Sequence, residues 1–366
     1  MELLREGYHE RLFLLTDEHE GLIVRKQAKA TSSTLLTEIV WLEELPPSLH
    51  RYFPCVLRSN KAKGNGQALF YDMPYFGHEW VLLSELILTQ TLYRTQALTL
   101  ISQVMQVMFE SIFPTTYPEE ESDYPEKLVR LLEGSTQQIA QLSAFSPLIQ
   151  TEALLLNGKR TWNIFPLLEL CKGEEQLRKK LRPAAIRKVH GDLYPENVLV
   201  HIPSLHQHAP RVMLLDPIAA LGLSRGDFAM DAAKFTSWLS AELLALRLGL
   251  FSVQQEQSTL PAFTLTVHTG DTRLCARSDG VLLREFIALF ETAEWARAVC
   301  DADPQWWQRM SFYEALYALS MVPLVPFPQS LARFLVGMQH LSDFVSTSEQ
   351  QAALPGTSDV RLETCD

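Results

Sequence analysis

Cysteine is sparse and scattered. The chain of 366 residues has five, at Cys55, Cys171, Cys275, Cys300 and Cys365. No CxxC pair or Cys/His ligand spacing occurs among them, which argues against a disulfide framework or a zinc site and fits a reducing cytoplasm. A long apolar run is missing as well. The longest late stretch, Leu316 to Val336, is interrupted by Pro323, Pro326, Pro328 and Arg333, so it is too broken to span a bilayer. The opening MELLREGYHERLF carries charges where a secretory leader needs an unbroken apolar core. Nor is there a basic excess: the formal net charge is −11, which leaves nothing to neutralise a phosphate backbone and argues against a nucleic-acid partner. Internal repeats and low-complexity tracts are also absent.

What is present is ordinary globular composition, 47% hydrophobic and 20% charged, in a chain long enough for one bilobal enzyme or two domains. It is organised around Val189 to Pro217, VHGDLYPENVLVHIPSLHQHAPRVMLLDP. Val198–Val200 and Val212–Leu215 are short apolar, β-branched runs, so the spacing predicts a hairpin with a polar tip at 203–211. That hairpin carries Asp192, Asn197 and Asp216 toward one end of a small sheet. Phosphoryl transfer from a metal nucleotide needs such a set: one Asp to orient the acceptor hydroxyl, and an Asn and a second Asp to hold magnesium on the phosphates.

With HGDLYPEN followed by LLDP, the chain resembles the aminoglycoside phosphotransferase and choline-kinase-like small-molecule kinases, relatives of the protein kinases, whose loop reads HRDxxxxN. Gly191 in place of Arg and Asp216-Pro217 in place of Asp-Phe-Gly point to the small-molecule branch. The resemblance implies an α+β, bilobal protein-kinase-like fold, with a small β-rich amino-terminal lobe and a larger helical carboxy-terminal lobe. It implies ATP and Mg2+ as cofactors, Asp192 as the base, Asn197 and Asp216 as metal ligands, and a small hydroxylated molecule as acceptor. His190 is expected to brace the loop backbone. The alternative is a non-catalytic kinase-like protein that binds nucleotide or a partner for regulation, and the near-absent glycine loop, with only Gly7 available, leans toward it.

Along the chain, residues 1–76 are expected to form the nucleotide-binding lobe with its hinge, 77–345 the helical lobe and 346–366 a flexible tail. Arg11–Thr16 and Gly21–Lys26, joined by DEHE, predict a hairpin, with a first strand squeezed into Met1–Arg5. By strand alternation Leu22, Val24 and Lys26 share a face. Val24-Arg25-Lys26 resembles the V-x-K of the family's third strand, which implies that Lys26 holds the phosphates, with Arg25 the fallback. Thr34–Leu45 has a helical stripe of Leu35, Ile39 and Leu42. Glu38, twelve residues past Lys26, matches the family's lysine-pairing glutamate. Strands are expected at Phe53–Arg58 and Ala68–Met73. The segment from Tyr71 to Gly77 resembles the hinge, and the resemblance implies that Val24, Met73, Tyr75 and Leu199 line the nucleotide site.

Helices are expected at Leu82–Leu88, Gln96–Phe113, Glu126–Leu142, Ser146–Leu156, Glu174–Leu181, Asp231–Gly249, Leu282–Val299, Gln305–Ser320 and Ser330–Val345. The acidic run 119–121 is a solvated face or the rim for a cationic acceptor. Arg225 to Lys234 resembles the family's GDPxxDLA segment with Phe228 in place of Pro, which implies that Asp231 supports the catalytic loop. Phe263–His268 and Arg273–Arg277, flanking TGDT, read as an inserted hairpin. Trp306 and Trp307 are expected to pack between helices. The acceptor itself is not legible.

Overall fold

Strand alternation builds the amino-terminal sheet. In the computed structural model, which describes residues 2–7, 10–29, 33–61, 68–118, 123–207, 209–218, 221–270, 274 and 280–351, with nothing said of the side chains at 33 and 347–351, this sheet has five antiparallel strands. They are β1 (Glu2–Glu6), β2 (Glu10–Asp17), β3 (Gly21–Ala28), β4 (Arg58–Ser59) and β5 (Phe70–Pro74), in the order β1-β2-β3-β5-β4. On β3, Val24, Lys26 and Ala28 are buried, while Arg25 points to the other face and pairs with Asp72 at 2.7 Å. Helix α1 (Ser33–Glu43) closes the inner face with Leu35, Ile39 and Leu42 fully buried and Leu36 and Val40 outside.

After β5 the chain passes through Tyr75–Glu79 into β6 (Trp80–Leu82) and α2 (Leu83–Leu88), and the helical lobe begins. Helix α3 (Arg94–Val107), α4 (Tyr124–Ala140) and α5 (Ser146–Ile149) precede a hairpin of β7 (Ala153–Leu156) and β8 (Lys159–Trp162). Then come α6 (Ile164–Gly173), α7 (Glu175–Lys180) and β9 (Arg187–Lys188). Strand β10 (Val198–His201) pairs antiparallel with β11 (Val212–Leu214), Val198 opposite Leu214, and its other edge takes β6. The short β12 (Arg225–Gly226) pairs with β9 and leads into α8 (Phe228–Leu239) and α9 (Glu242–Arg247). After β13 (Phe251–Glu256) and β14 (Ala262–Val267) come α10 (Val281–Thr292), α11 (Glu294–Ala302), α12 (Trp306–Ser320) and α13 (Gln329–Gln351). The architecture is α+β, a β-rich amino-terminal lobe first and a larger, mainly helical lobe after it. Among the described residues no helix is long and apolar enough to cross a membrane.

Several expectations need correction. Ser146–Leu156 is not one helix: it ends at Ile149, and Asn157-Gly158, with φ of +52° and +75°, turns β7 back into β8. That Asn-Gly pair is the two-residue hairpin signal, and it outweighs the apolar run. The expected strand Phe263–His268 falls in β14, whose hairpin partner is β13, closed at 257–261; of the second expected strand, Arg273 and residues 275–277 lie outside the described residues. Strand β14 pairs parallel with β7, so the two hairpins form one four-stranded sheet. Only Arg58 of the expected strand Phe53–Arg58 is in a strand; Phe53 is buried against Trp41 instead. The helix expected over 231–249 starts at Phe228 and breaks at Ala241, whose φ is +62°, and that over 282–299 breaks at Ala293. Trp306 packs tilted against Phe228 and Phe290, but Trp307 is exposed. Helix α13 runs on to Gln351, into the stretch expected as tail; residues 352–366, like the acidic run 119–121, lie outside the described residues.

Candidate active site

One ammonium group bonds to carboxylates from both lobes. Lys26 Nζ donates to both carboxylate oxygens of Glu38, at 2.9 and 2.8 Å, and to Asp216 Oδ1 at 3.0 Å. The strand presents Lys26 inward, α1 presents Glu38 from above, and β11 delivers Asp216 from the other lobe. Tyr71 on β5 donates its hydroxyl to Glu38 Oε1 at 2.7 Å, so the glutamate is held from two sides. Burial alone would lower the Lys26 pKa, but Asp216 and Glu38 together drive it well above the ordinary lysine value. Burial likewise works against ionisation of Asp216, yet Lys26 holds its carboxyl below the usual range. Arg25, the fallback, faces away.

The loop between β9 and β10 is fixed from beneath by α8. Asp227 caps that helix, its side chain accepting from the Ala229 N–H at 3.0 Å. Asp231, one turn on, is fully buried and accepts the backbone N–H groups of His190 and Gly191, both at 2.8 Å. Burial outweighs the N–H groups of His190, Gly191 and Leu193 and raises its carboxyl to about 7. Gly191 sits at φ +81°, and a Cβ there would lie 2.7 Å from the Leu223 carbonyl oxygen, so only glycine fits. After β11, Asp216 at φ +54° and Ile218 at φ +79° turn the chain. A β-branched residue at positive φ is a strained position, stabilised here by a 2.6 Å bond from the Ile218 N–H to the His190 carbonyl. Burial takes the His190 imidazole down to about 3, so it is neutral at working pH. Its ring packs near Trp41 and Phe53. Trp41 in turn donates Nε1–H to the Val189 carbonyl at 2.9 Å, tying α1 to this loop.

Asn197 donates from Nδ2 to the Asp192 carbonyl oxygen at 2.9 Å and to Asp192 Oδ2 at 3.2 Å. The other carboxylate oxygen, Oδ1, is buried and accepts no hydrogen bond among the described residues. What faces it is the Lys234 ammonium, 2.9 Å away. Lys234 lies one turn beyond Asp231 on α8, and Trp238, one turn further, donates Nε1–H to Glu196 Oε1 at 3.0 Å. One stripe of α8 thus touches the loop at 190–191, at 192 and at 196. Sequence reasoning found Asp231 and missed Lys234 and Trp238, although the spacings i, i+3 and i+7 put all three on one helix face. It also missed Tyr71 and the buried Arg309, which bridges Asp227 at 2.5 Å and Asp303 at 2.5 Å and so anchors the start of α8.

Of the residues expected to line the nucleotide site, Val24 and Met73 are buried opposite one another in the β3–β5 ladder. Tyr75 donates its N–H to the Leu22 carbonyl at 3.3 Å where the chain leaves the sheet. Leu199 lies in the other lobe, half-buried between Leu82 and Met213. Gly7 donates to the Glu10 carbonyl at 2.9 Å; Tyr8 and His9 lie outside the described residues. Arg5, on β1, acts electrostatically on both Asp216 and Glu196. With the Asn197 Nδ2 engaged, its carboxamide oxygen and the Asp216 carboxylate are hard oxygen donors of the kind magnesium takes. Among the described residues no three His, Cys, Asp or Glu side chains cluster as a metal site.

No model of a known family matches the sequence, and no curated protein matches it. Among solved structures the chain is similar to a candidate aminoglycoside phosphotransferase from Ralstonia eutropha, at 11% identity and TM-score 0.48, over 95% of this chain and 92% of that one. It is also similar to a choline kinase from Cryptosporidium parvum, at 11% identity and TM-score 0.44, over 96% and 90%. An ethanolamine kinase from Plasmodium vivax matches at 10% identity and TM-score 0.45, over 97% and 82%.

Proposed function

We propose that the protein is a phosphotransferase that moves the γ-phosphoryl group of ATP to a hydroxyl of a small polar molecule. The observation that carries this is the three-way contact of Lys26 with Glu38 and Asp216 across the two lobes. Three ionisable groups from β3, α1 and the end of β11 converge where the two lobes meet, and such convergence of charged groups supports a functional site. In this reading Lys26, steadied by Glu38, gives a point charge to the α- and β-phosphates. Asn197 and Asp216 hold magnesium, which supplies charge neutralisation on the phosphates when bound. Val24, Met73, Tyr75 and Leu199 wall the adenine.

Asp192 is the base. Its Oδ2 is held by Asn197 and its Oδ1 lies against the Lys234 ammonium; in this reading the carboxylate, so positioned, orients the acceptor hydroxyl in line and takes its proton late. His190, neutral and buried, and Asp231 hold the loop and take no part in the proton transfer. The thiols of Cys55, Cys171 and Cys300 are free, in keeping with a reducing cytoplasmic setting. The test is incubation with ATP, magnesium and a set of hydroxylated compounds, alongside Asp216→Asn. Transfer by the wild type that collapses in the variant is expected; equal transfer by both sinks the assignment of Asp216.

A further inference from the structure

We propose that Lys234 sets the acceptor class: the hydroxyl that is phosphorylated is flanked by an oxygen acceptor, as in a vicinal diol or a hydroxy acid, and not by an ammonium group. This rests on the phosphotransferase reading above. The Lys234 ammonium lies 2.9 Å from Asp192 Oδ1, with its side chain 13% exposed. It stands over two aromatic faces, 4.9 Å from the centre of the Tyr194 ring and 4.6 Å from that of Tyr317. The lysine is not a wandering surface group. It projects from a helix whose start is locked by Asp227 and Arg309 and whose previous turn is bonded to the loop through Asp231.

Two consequences follow from that position. Asp192 Oδ1 is buried against the Lys234 ammonium and Oδ2 is held by Asn197, so an acceptor hydroxyl oriented by either oxygen at about 2.7 Å comes within roughly 8 Å of that ammonium. An amine two carbons from that hydroxyl then meets a fixed like charge in a partly desolvated site, where repulsion is weakly screened. The aromatic faces that could hold such a cation are already taken by Lys234. A neighbouring hydroxyl or carboxylate, by contrast, gains a charge-assisted bond from the same ammonium. The acidic balance of the whole chain says nothing against this, because what the acceptor meets at the reacting carboxylate is Lys234.

The experiment measures kcat/KM for phosphoryl transfer from Mg-ATP to matched probes: D-glucose, D-gluconate and glycerol against D-glucosamine, ethanolamine, choline and kanamycin. Wild type, Lys234→Met and Lys234→Arg are compared, with Mg-ATP affinity measured separately by calorimetry. The wild type is expected to favour a neutral or acidic probe over its aminated counterpart by at least tenfold. Lys234→Met should lose that ratio while binding Mg-ATP as before, and Lys234→Arg should keep it. A wild type that prefers the aminated probes overturns the inference, and so does a preference unchanged in Lys234→Met, or Mg-ATP binding without transfer to any probe. Absence of Mg-ATP binding in the wild type strikes instead at the phosphotransferase reading itself.

Discussion

Asp231 Oδ1 accepts the Gly191 N–H at 2.8 Å, and this bond, with its twin to His190, is what fastens the loop bearing Asp192 to helix α8. Replacing Asp231 by Ala leaves two buried N–H groups without a partner, at a cost of about 1–3 kcal/mol each. The expected loss in urea unfolding is roughly 3 kcal/mol. A loss under 1 kcal/mol means that the loop is held by something else.

Gly191→Ala tests the same joint from the other side. The position needs φ +81° and has a carbonyl oxygen 2.7 Å from where the Cβ would stand. Both the strain and the clash act on the turn that carries Asp192. The variant is expected to lose at least 2 kcal/mol, roughly the sum of a backbone penalty and a forced shift, as read by thermal or urea unfolding.

On the phosphate side, Lys26→Met removes the shared ammonium and leaves Glu38 and Asp216 facing a methyl group. A drop in kcat of about 10²-fold or more is expected for loss of one charged donor. Glu38→Gln keeps Lys26 next to Asp216 and should cost less, on the order of tenfold. Steady-state kinetics on both variants reads the difference, and equal effects would mean that Glu38 does more than position Lys26.

Arg309 is fully buried and bridges Asp227 and Asp303. Removing one member of such a network strands buried charge and costs roughly 3–5 kcal/mol. Arg309→Met should therefore be among the most destabilising single changes in the helical lobe, measurable as a lowered unfolding midpoint.

A pH effect is expected away from the active site. Burial would lower the His340 pKa, but Glu242 at 3.0 Å and Glu314 at 3.3 Å outweigh it and raise it to about 9. A histidine raised in the folded state adds stability that is complete below its unfolded pKa of about 6.5 and is lost as pH rises through the folded value. The wild type should thus lose on the order of 2 kcal/mol more than His340→Gln between pH 6.5 and pH 9.5. Parallel stability curves for the two proteins across that range contradict it.

Much of the fold was legible because its signals are local. Alternation on β3 put Lys26 inward and Arg25 outward, and the helical stripe of α1 put Leu35, Ile39 and Leu42 against the sheet while carrying Glu38 to the lysine. The β10–β11 hairpin followed from two apolar runs with a polar tip. What was missed depends on tertiary partners. The run Ser146–Leu156 is the exception, since the Asn157-Gly158 turn that makes β7 and β8 a hairpin is a local signal; β6, by contrast, is too short to stand out until β10 pairs with it. Lys234 and Arg309 are ordinary helix cations in one dimension; only the fold brings one to Asp192 and buries the other on Asp227.

The most direct test of the central claim follows the γ-phosphoryl group of isotopically labelled Mg-ATP onto a hydroxylated acceptor, in wild type and in Asp192→Asn. The account predicts transfer by the wild type and a loss of about 10²-fold or more in the variant, with Mg-ATP affinity retained in both. Equal transfer rates in the two proteins, or a wild type that binds no Mg-ATP, would contradict it.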